Sequence, residues 1–350
     1  MGETAKRLRL KTILSCQQEY PNAGKLVRRW YACMSSKQSK PISRQLALIL
    51  RGIILLCFVA TATMIALHFM PGLAILPFAN GAKSPFCSTW QAVHDADVKV
   101  RQGELQKEIH SKIRLLRTEE GYKLWSTPSG EFWVPDTSDE IIEILLAQQK
   151  RSIYGDSTNG GVRAGDIVLD GGAHVGTYIR TALDAGAEKV VAIEPSPEAL
   201  VCLRRNFDRE VASGRVVIYP KGIWDSEKTL TFYANGNGAA GDGFLEHSPN
   251  AKVVAEVQVT TVDKIVSELG LTRVDLIKAD IKGAGTRMIA GAVRTIQTFH
   301  PRIVVSVEEA PEDPVSIKAA VMKVAPNYDF RCGPCLFTGG EIRNDTLFFQ

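Results

Sequence analysis

Residues 170–176 read Asp170-Gly171-Gly172-Ala173-His174-Val175-Gly176, a turn of the form D-x-G-x-x-x-G. It follows the short apolar run Ile167–Leu169, and a second apolar run, Val190–Ile193, ends on Glu194, 24 residues after Asp170. Glycines at a strand-to-helix turn let a ligand reach the backbone, and the helix that follows directs its first N–H groups at that ligand. An acid closing the second strand, about 20 residues on, is placed to accept hydrogen bonds from ribose hydroxyls. The unit is therefore expected to bind a nucleoside-containing cofactor through Asp170, Gly171, Gly172, His174, Gly176 and Glu194. The dinucleotide fingerprint G-x-G-x-x-G is absent, which argues against an NAD-dependent enzyme. A turn with no pyrophosphate to cradle suits S-adenosyl-L-methionine.

Methyl transfer from a sulfonium needs mostly alignment, and an oxygen nucleophile also gains from a positioned base. Asp280 closes a third buried run, Val274–Ala279, and is the first candidate for that base; His174, in the glycine turn, is the second. Lys282 is suited to orient an anionic group. Trp224 and Asp225 follow a further strand. They read equally as a cover for adenine with an acceptor for its amino hydrogens, or as a core indole beside a solvated acid. Trp125, Phe132 and Trp133 read as core packing.

The elements that must position these groups alternate. Strands are expected at Ile167–Leu169, Val190–Ile193, Arg215–Tyr219, Val274–Ala279, Ile303–Val307 and Leu347–Phe349, with helices over Pro197–Asp208, Val262–Leu269, Thr286–Thr298 and Val315–Val324 between them. Such alternation gives an α/β, doubly wound, mainly parallel sheet with ligands beyond the strands' carboxyl ends. Thr229–Tyr233 and Lys252–Thr260 read as antiparallel strands around the loop Asn235–Gly243. Tyr122–Pro135 reads as a hairpin turning at Pro128-Ser129-Gly130, and Thr137-Ser138 as the cap of a helix from Asp139 to Lys150.

The motifs GDIVLDGGAHVGTY, AIEPSPEAL, KGIWDSEKTLTF and VDLIKADIKGA resemble the FkbM family of S-adenosyl-L-methionine-dependent methyltransferases over about residues 120–310. The resemblance implies a class I, Rossmann-like methyltransferase fold and O-methylation of a hydroxyl on a sugar, glycolipid or natural product. It implies cofactor contacts at Asp170, Gly172, His174, Gly176, Glu194, Trp224 and Asp225. Asp280 matches the aspartate of that family's I-D-V-E-G-A-E motif. Where the family has two glutamates, this chain has Lys282 and Gly285, so a cofactor-binding module without catalysis is the alternative.

The rest of the chain bounds the setting. Residues 1–51 hold eleven Lys/Arg against two Glu, and with a total charge of +4 the remaining residues are net −5. Basic character thus belongs to an N-terminal arm, residues 1–45, and nucleic acid is not expected as a partner. From Gly52 to Ala82 no charged residue occurs. That stretch exceeds the about 20 apolar residues a bilayer requires, and is longer than the about 7–15 of a signal-peptide core. We expect one transmembrane helix within residues 46–79, contact with membrane lipid, an amphipathic helical stalk over residues 80–118, and a catalytic domain over residues 119–350. The acceptor is expected to be a small molecule or glycan. The basic flank of the span places the domain outside, whereas the cofactor favours the cytoplasm. Cys332-Gly333-Pro334-Cys335 has redox-dithiol spacing, but the following residues read as a turn; the other five cysteines show no disulfide pattern, and no metal site is expected.

Overall fold

The computed structural model describes residues 44–69, 73, 84–138, 141–234, 243–244, 251–307, 314–338 and 341–350. Most of the basic arm and nearly all of the loop Asn235–Gly243 lie outside the described residues. The chain divides into two compact units, residues 1–65 and 66–350.

The helix α1, Arg44–Phe69, runs across that boundary. Its segment Gln45–Ala66 is 22 residues long with a mean hydropathy of 2.3, and none of the apolar window is buried. At about 1.5 Å per residue it measures about 33 Å, enough for a bilayer core of about 30 Å. The Thr61 and Thr63 hydroxyls donate to the carbonyls of Cys57 and Val59 at 2.8 Å, which leaves the surface apolar. By length and composition it is able to span a membrane, and a signal sequence near the N-terminus meets the same criteria.

In the second unit, α2 is Thr89–His110, opened by a reciprocal capping box between Ser88 and Gln91. The helix expected to reach residue 118 stops there, and Arg114–Glu119 is instead a strand, β1. Glu120 and Gly121 both have positive φ (53° and 82°), the two-residue hairpin geometry. They return the chain into β2, Tyr122–Thr127, which pairs with β3, Gly130–Pro135. This is the expected hairpin with an added outer strand. Next comes α3, Ile141–Lys150; Asp136–Ser138 form a 3-10 turn, and the junction at residues 139–140 is outside the described residues.

The main sheet then follows: β4 (Ile167–Gly171), α4 (Thr177–Asp184), β5 (Lys189–Ile193), α5 (Pro197–Asn206), a short α6 (Asp208–Ala212) and β6 (Val216–Tyr219). A side sheet comprises β7 (Gly222–Ile223), β8 (Lys228–Ala234) and β9 (Lys252–Thr260), with β8 and β9 antiparallel as expected. The chain returns through α7 (Val262–Glu268), β10 (Leu276–Ala279), α8 (Gly285–Ala290), α9 (Val293–Phe299), β11 (Arg302–Ser306), α10 (Pro314–Val324), β12 (Phe330–Cys332), β13 (Cys335–Thr338), β14 (Glu341–Asn344) and β15 (Thr346–Phe349). The single helix expected over Thr286–Thr298 is two helices. Gly291 sits where a Cβ would be 2.3 Å from the Trp224 carbonyl oxygen, so the backbone bends at that close approach.

The seven-stranded order is β12-β15-β11-β10-β4-β5-β6, parallel except for β15, which is antiparallel to both neighbours. This is the expected doubly wound, mainly parallel α/β sheet. Alternate strand residues feed two cores: Val168, Val190, Leu276 and Val304 on one face, Leu169, Val191, Ile277 and Ile303 on the other. Strands buried on both faces read as unbroken apolar runs, which is why they stood out in the sequence.

The cysteine expectation is corrected. Cys87 and Cys335 form a disulfide across 248 residues, packed with Ala92 and Ile342. Cys335 is therefore not half of a Cys332–Cys335 dithiol or zinc pair, and Cys332 is a free thiol. Leu336–Thr338, expected as a turn, belongs to β13.

Candidate functional site

The chain winds outward from β4 to β5 and β6, then crosses back to place β10 on the other side of β4. That reversal leaves a crevice at the carboxyl ends of β4 and β10, the place where open parallel sheets bind ligands. The crevice has an empty volume of ≈ 800 Å³ including its opening to solvent.

Register pairs Asp170 with Lys278 across β4 and β10. Asp170 is fully buried; its Oδ1 accepts from Lys278 Nζ at 2.8 Å. Lys278 Nζ also reaches the Gly172 carbonyl at 3.1 Å and lies over the rings of Tyr154 and Tyr178. Burial raises the Asp170 pKa and Lys278 opposes it. Lys278, which no sequence argument singled out, thus closes the floor of the crevice. A lone lysine within the run VDLIKA was the available signal, since lysine is almost never buried without a partner.

The three glycines divide. Gly172 (φ 73°) lines the crevice, its α-carbon so close to the end of β10 that a Cβ would be 2.1 Å from the Asp280 carbonyl oxygen. Gly171 instead packs under Ile223, and Gly176 (φ 92°) under the Phe207 ring, where a Cβ would come within 2.1 Å. Only Gly172 offers backbone to a ligand.

His174 takes a left-handed conformation (φ 50°) and lines the crevice. Both its ring nitrogens are buried without a partner. Burial, with help from Lys278 and Lys282 and against Asp280, lowers its pKa to about 4, so the imidazole is neutral at pH 7. Glu194 also lines the crevice; its two oxygens accept from the backbone N–H groups of His174 and Ser196, each at 2.8 Å. Burial raises its pKa to about 7 against those two bonds. Glu194 thereby anchors the glycine turn to the end of β5, and each oxygen keeps a lone pair for a hydroxyl donor.

Asp280 is at the crevice, but it is engaged. Its Oδ2 accepts from the Tyr154 hydroxyl at 2.8 Å, and Lys282 Nζ lies 3.6 Å from Oδ1. Burial acts to raise its pKa, yet Lys282, Lys278 and Tyr154 outweigh burial and hold it at about 2. A carboxylate that acidic is a weak proton acceptor at neutral pH, and His174, held at about 4, is the less acidic of the two candidates.

Trp224 and Asp225 lie outside the crevice lining. Trp224 is buried against Phe244, Val259 and Ala284, while Asp225 pairs with Arg287 at 2.7 Å. Trp224 Nε1 is itself buried without a hydrogen-bond partner. Ile223, Phe232, Phe244 and Ile281 supply the apolar wall.

Asp170 Oδ2, both His174 nitrogens and the Tyr178 hydroxyl are buried with no hydrogen-bond partner. Buried polar groups are normally paired. The three open valences of His174 and Tyr178 in the lining, beside an apolar wall and a glycine backbone, fit a ligand with both an apolar ring system and charged, hydroxylated parts, as S-adenosyl-L-methionine has.

Residues 170–332 match the family model described as the methyltransferase FkbM domain. The curated 31-O-demethyl-FK506 methyltransferase FkbM of Streptomyces tacrolimicus is 25% identical over 157 residues, covering 37% of this chain and 60% of that protein. The chain thus spans less than two thirds of that relative's length. Among solved structures, the methyltransferase FkbM of Methylobacillus flagellatus is similar with a TM-score of 0.41 and 14% identity, over 74% of this chain and 60% of that one. Fibrillarin of Aeropyrum pernix, solved with bound S-adenosyl-L-methionine, is similar with a TM-score of 0.33 and 10% identity, over 68% and 98% of the respective chains.

Proposed function

We propose, from the match of residues 170–332 to the methyltransferase FkbM domain, that this chain is an S-adenosyl-L-methionine-dependent methyltransferase of that family. Its acceptor is a hydroxyl on a sugar, glycolipid or natural product, and α1 tethers it to a membrane. The observation that carries this reading is the set of buried, unpartnered polar atoms at the β4–β10 reversal, the His174 nitrogens and the Tyr178 hydroxyl in the crevice lining and Asp170 Oδ2 outside it.

Gly172, Glu194 and the floor formed by Asp170 and Lys278 hold and orient the cofactor. When bound, the cofactor supplies an electrophilic methyl group. His174, neutral because burial holds its pKa at about 4, takes the proton from the acceptor hydroxyl as the oxygen attacks. Asp280, ionised at every pH above about 2, offsets the charge that then appears on the imidazole. The same pairing of Asp280 with Lys282 favours a second reading, a module that binds the cofactor without catalysis.

Calorimetry on the full chain in detergent separates these. S-adenosyl-L-methionine should bind the wild type, and a wild type that does not bind it refutes both readings. At saturating S-adenosyl-L-methionine, His174→Ala should lower methyl transfer by about 10²–10⁴-fold, the usual contribution of a general base. Binding without transfer to any extract leaves only the second reading.

The disulfide bears on sidedness. Such bonds persist in oxidising compartments, and Arg44 and Arg51 flank the apolar stretch on its N-terminal side. Both support a location of residues 84–350 away from the cytoplasm, whereas the need for S-adenosyl-L-methionine supports the cytoplasmic side. Alkylation in intact cells should leave Cys87 and Cys335 unlabelled before reduction and labelled after it. Labelling of both without reduction would put this unit in the cytoplasm.

A further inference from the structure

A second cleft lies beside the crevice, formed by α2, α3, α4 and the turn between β2 and β3, with an empty volume of ≈ 830 Å³ including its opening. We infer that it binds the neutral, hydroxyl-rich body of the acceptor, a carbohydrate chain of at least two sugars whose reactive hydroxyl reaches the crevice; this rests on the methyltransferase reading above.

The first argument is adjacency. Gln149 of α3 lines both spaces. On α3, Leu145 lines the crevice and its neighbour Leu146 the cleft; on α4, Thr177 lines the crevice and Thr181 the cleft. Thr177 and Thr181 are one helical turn apart, and the Thr181 hydroxyl donates to the Thr177 carbonyl at 3.2 Å. One turn is about 5.4 Å, close to the length of one sugar ring. A ligand with parts in both spaces would cross that turn.

The second argument is charge. Glu108 is bound by Lys112 at 2.6 Å and by Lys150 at 3.0 Å. With Asp184, the cleft carries two acids and two lysines, no net charge, and these groups are already partly paired with one another. That favours an uncharged ligand over a phosphate or polyanion, which would need unopposed cations.

The third is chemistry. Ser129 and Gln149 add neutral donors and acceptors around the rim, and Thr181, whose proton is given to Thr177, adds an acceptor. Beneath them, Ile109 and Leu146 are each only 4% exposed. An apolar floor under a rim of mixed donors and acceptors matches a sugar, which has a C–H face and a hydroxyl edge. Gln149, at the junction, is placed to bond the linkage region.

The test is saturation-transfer NMR on the full chain in a zwitterionic, sugar-free detergent, with lactose, maltose, cellobiose and chitobiose as probes and no cofactor. At least one disaccharide should show transfer. Both Thr181→Tyr, which fills the cleft, and Asp184→Lys, a change at an exposed position, should weaken that binding at least tenfold. Should Thr181→Tyr fail to fold, Asp184→Lys decides. No transfer to any of the four, or transfer unchanged in the folded variants, overturns the inference. Loss of the methyltransferase reading would show separately, as absent S-adenosyl-L-methionine binding with disaccharide binding intact.

Discussion

The two ends of β4 and β10 make an instructive pair. At the amino end, charges are matched by the chain itself. Asp166 pairs with Arg302 and accepts from the Arg163 N–H at 2.6 Å. Asp275 accepts from the Ile167 N–H at 2.8 Å and from Arg273 Nε at 2.7 Å, and Arg273 also reaches Glu188 at 3.1 Å. The unpartnered atom among these, Arg302 Nε, belongs to a guanidinium already paired through another nitrogen. At the carboxyl end, four residues along β4 from Asp166, the unpartnered atoms are Asp170 Oδ2, the two His174 nitrogens and the Tyr178 hydroxyl. Both ends are rich in ionisable groups. What distinguishes the carboxyl end is that its groups are buried yet unsatisfied, and perturbed pKa values gather there. Charge alone does not mark a site; at this end buried unpartnered atoms, perturbed pKa values and an open crevice coincide.

The contrast is broken most strongly at its buried member. Lys278 and Asp170 are 4% and 0% exposed in their side chains. Lys278→Met should leave Asp170 as an uncompensated buried charge and cost about 3–5 kcal/mol in urea unfolding. Adding Asp170→Asn to that variant should recover most of the loss, because the orphaned charge is then gone. If the single variant unfolds within about 1 kcal/mol of the wild type, the pair is not the floor of the crevice.

A change at Glu194 is smaller and has a definite sign. Its folded pKa is about 7 against an ordinary 4.5, so the folded protein keeps a proton that the unfolded chain releases between those values. Its stabilising contribution is full below pH 4.5 and is lost as pH rises through 7. His174 runs the other way. With a folded pKa of about 4 against 6.5, its contribution is lost as pH falls from 6.5 to 4. In the wild type the two slopes oppose each other over pH 4.5–6.5. Glu194→Gln removes one of them, so its urea midpoint should climb with pH across that window more steeply than the wild type's. Parallel curves for the two proteins would show that Glu194 is not held in its protonated form by burial.

The sequence carried what is local and periodic. The runs that became β4, β5 and β10 were legible because strands covered on both faces must be apolar throughout, and Asp170, Glu194 and Asp280 were legible as the polar residues that end them. Gly172 was separable from Gly171 and Gly176 only by what each touches: Ile223 and Phe207 come from elsewhere in the chain. The pairing of Cys87 with Cys335 spans 248 residues, beyond any spacing argument. The weakness of Asp280 as a base was hidden for the same reason, since Tyr154 approaches it from 126 residues away. Lys278 differs from these. A charged residue inside a buried strand was visible in the sequence and marked the floor of the crevice.

The smallest expected effect sits at the amino end, and it sets the scale for the others. The Arg273 side chain is 49% exposed, and its partners Asp275 and Glu188 are 24% and 61% exposed. Exposed pairs of this kind contribute about 0–1 kcal/mol, since solvent screens them and two long side chains must be held still. Asp275 would also keep the Ile167 N–H as a partner, so no buried charge is orphaned when the arginine is lost. Arg273→Met should therefore shift the urea midpoint little, and raising the ionic strength of the wild type should reproduce most of that shift. A loss as large as that of Lys278→Met would mean that the amino end bears the same dependence on pairing as the carboxyl end. The distinction between a satisfied edge and an open one would then no longer mark where the ligand goes.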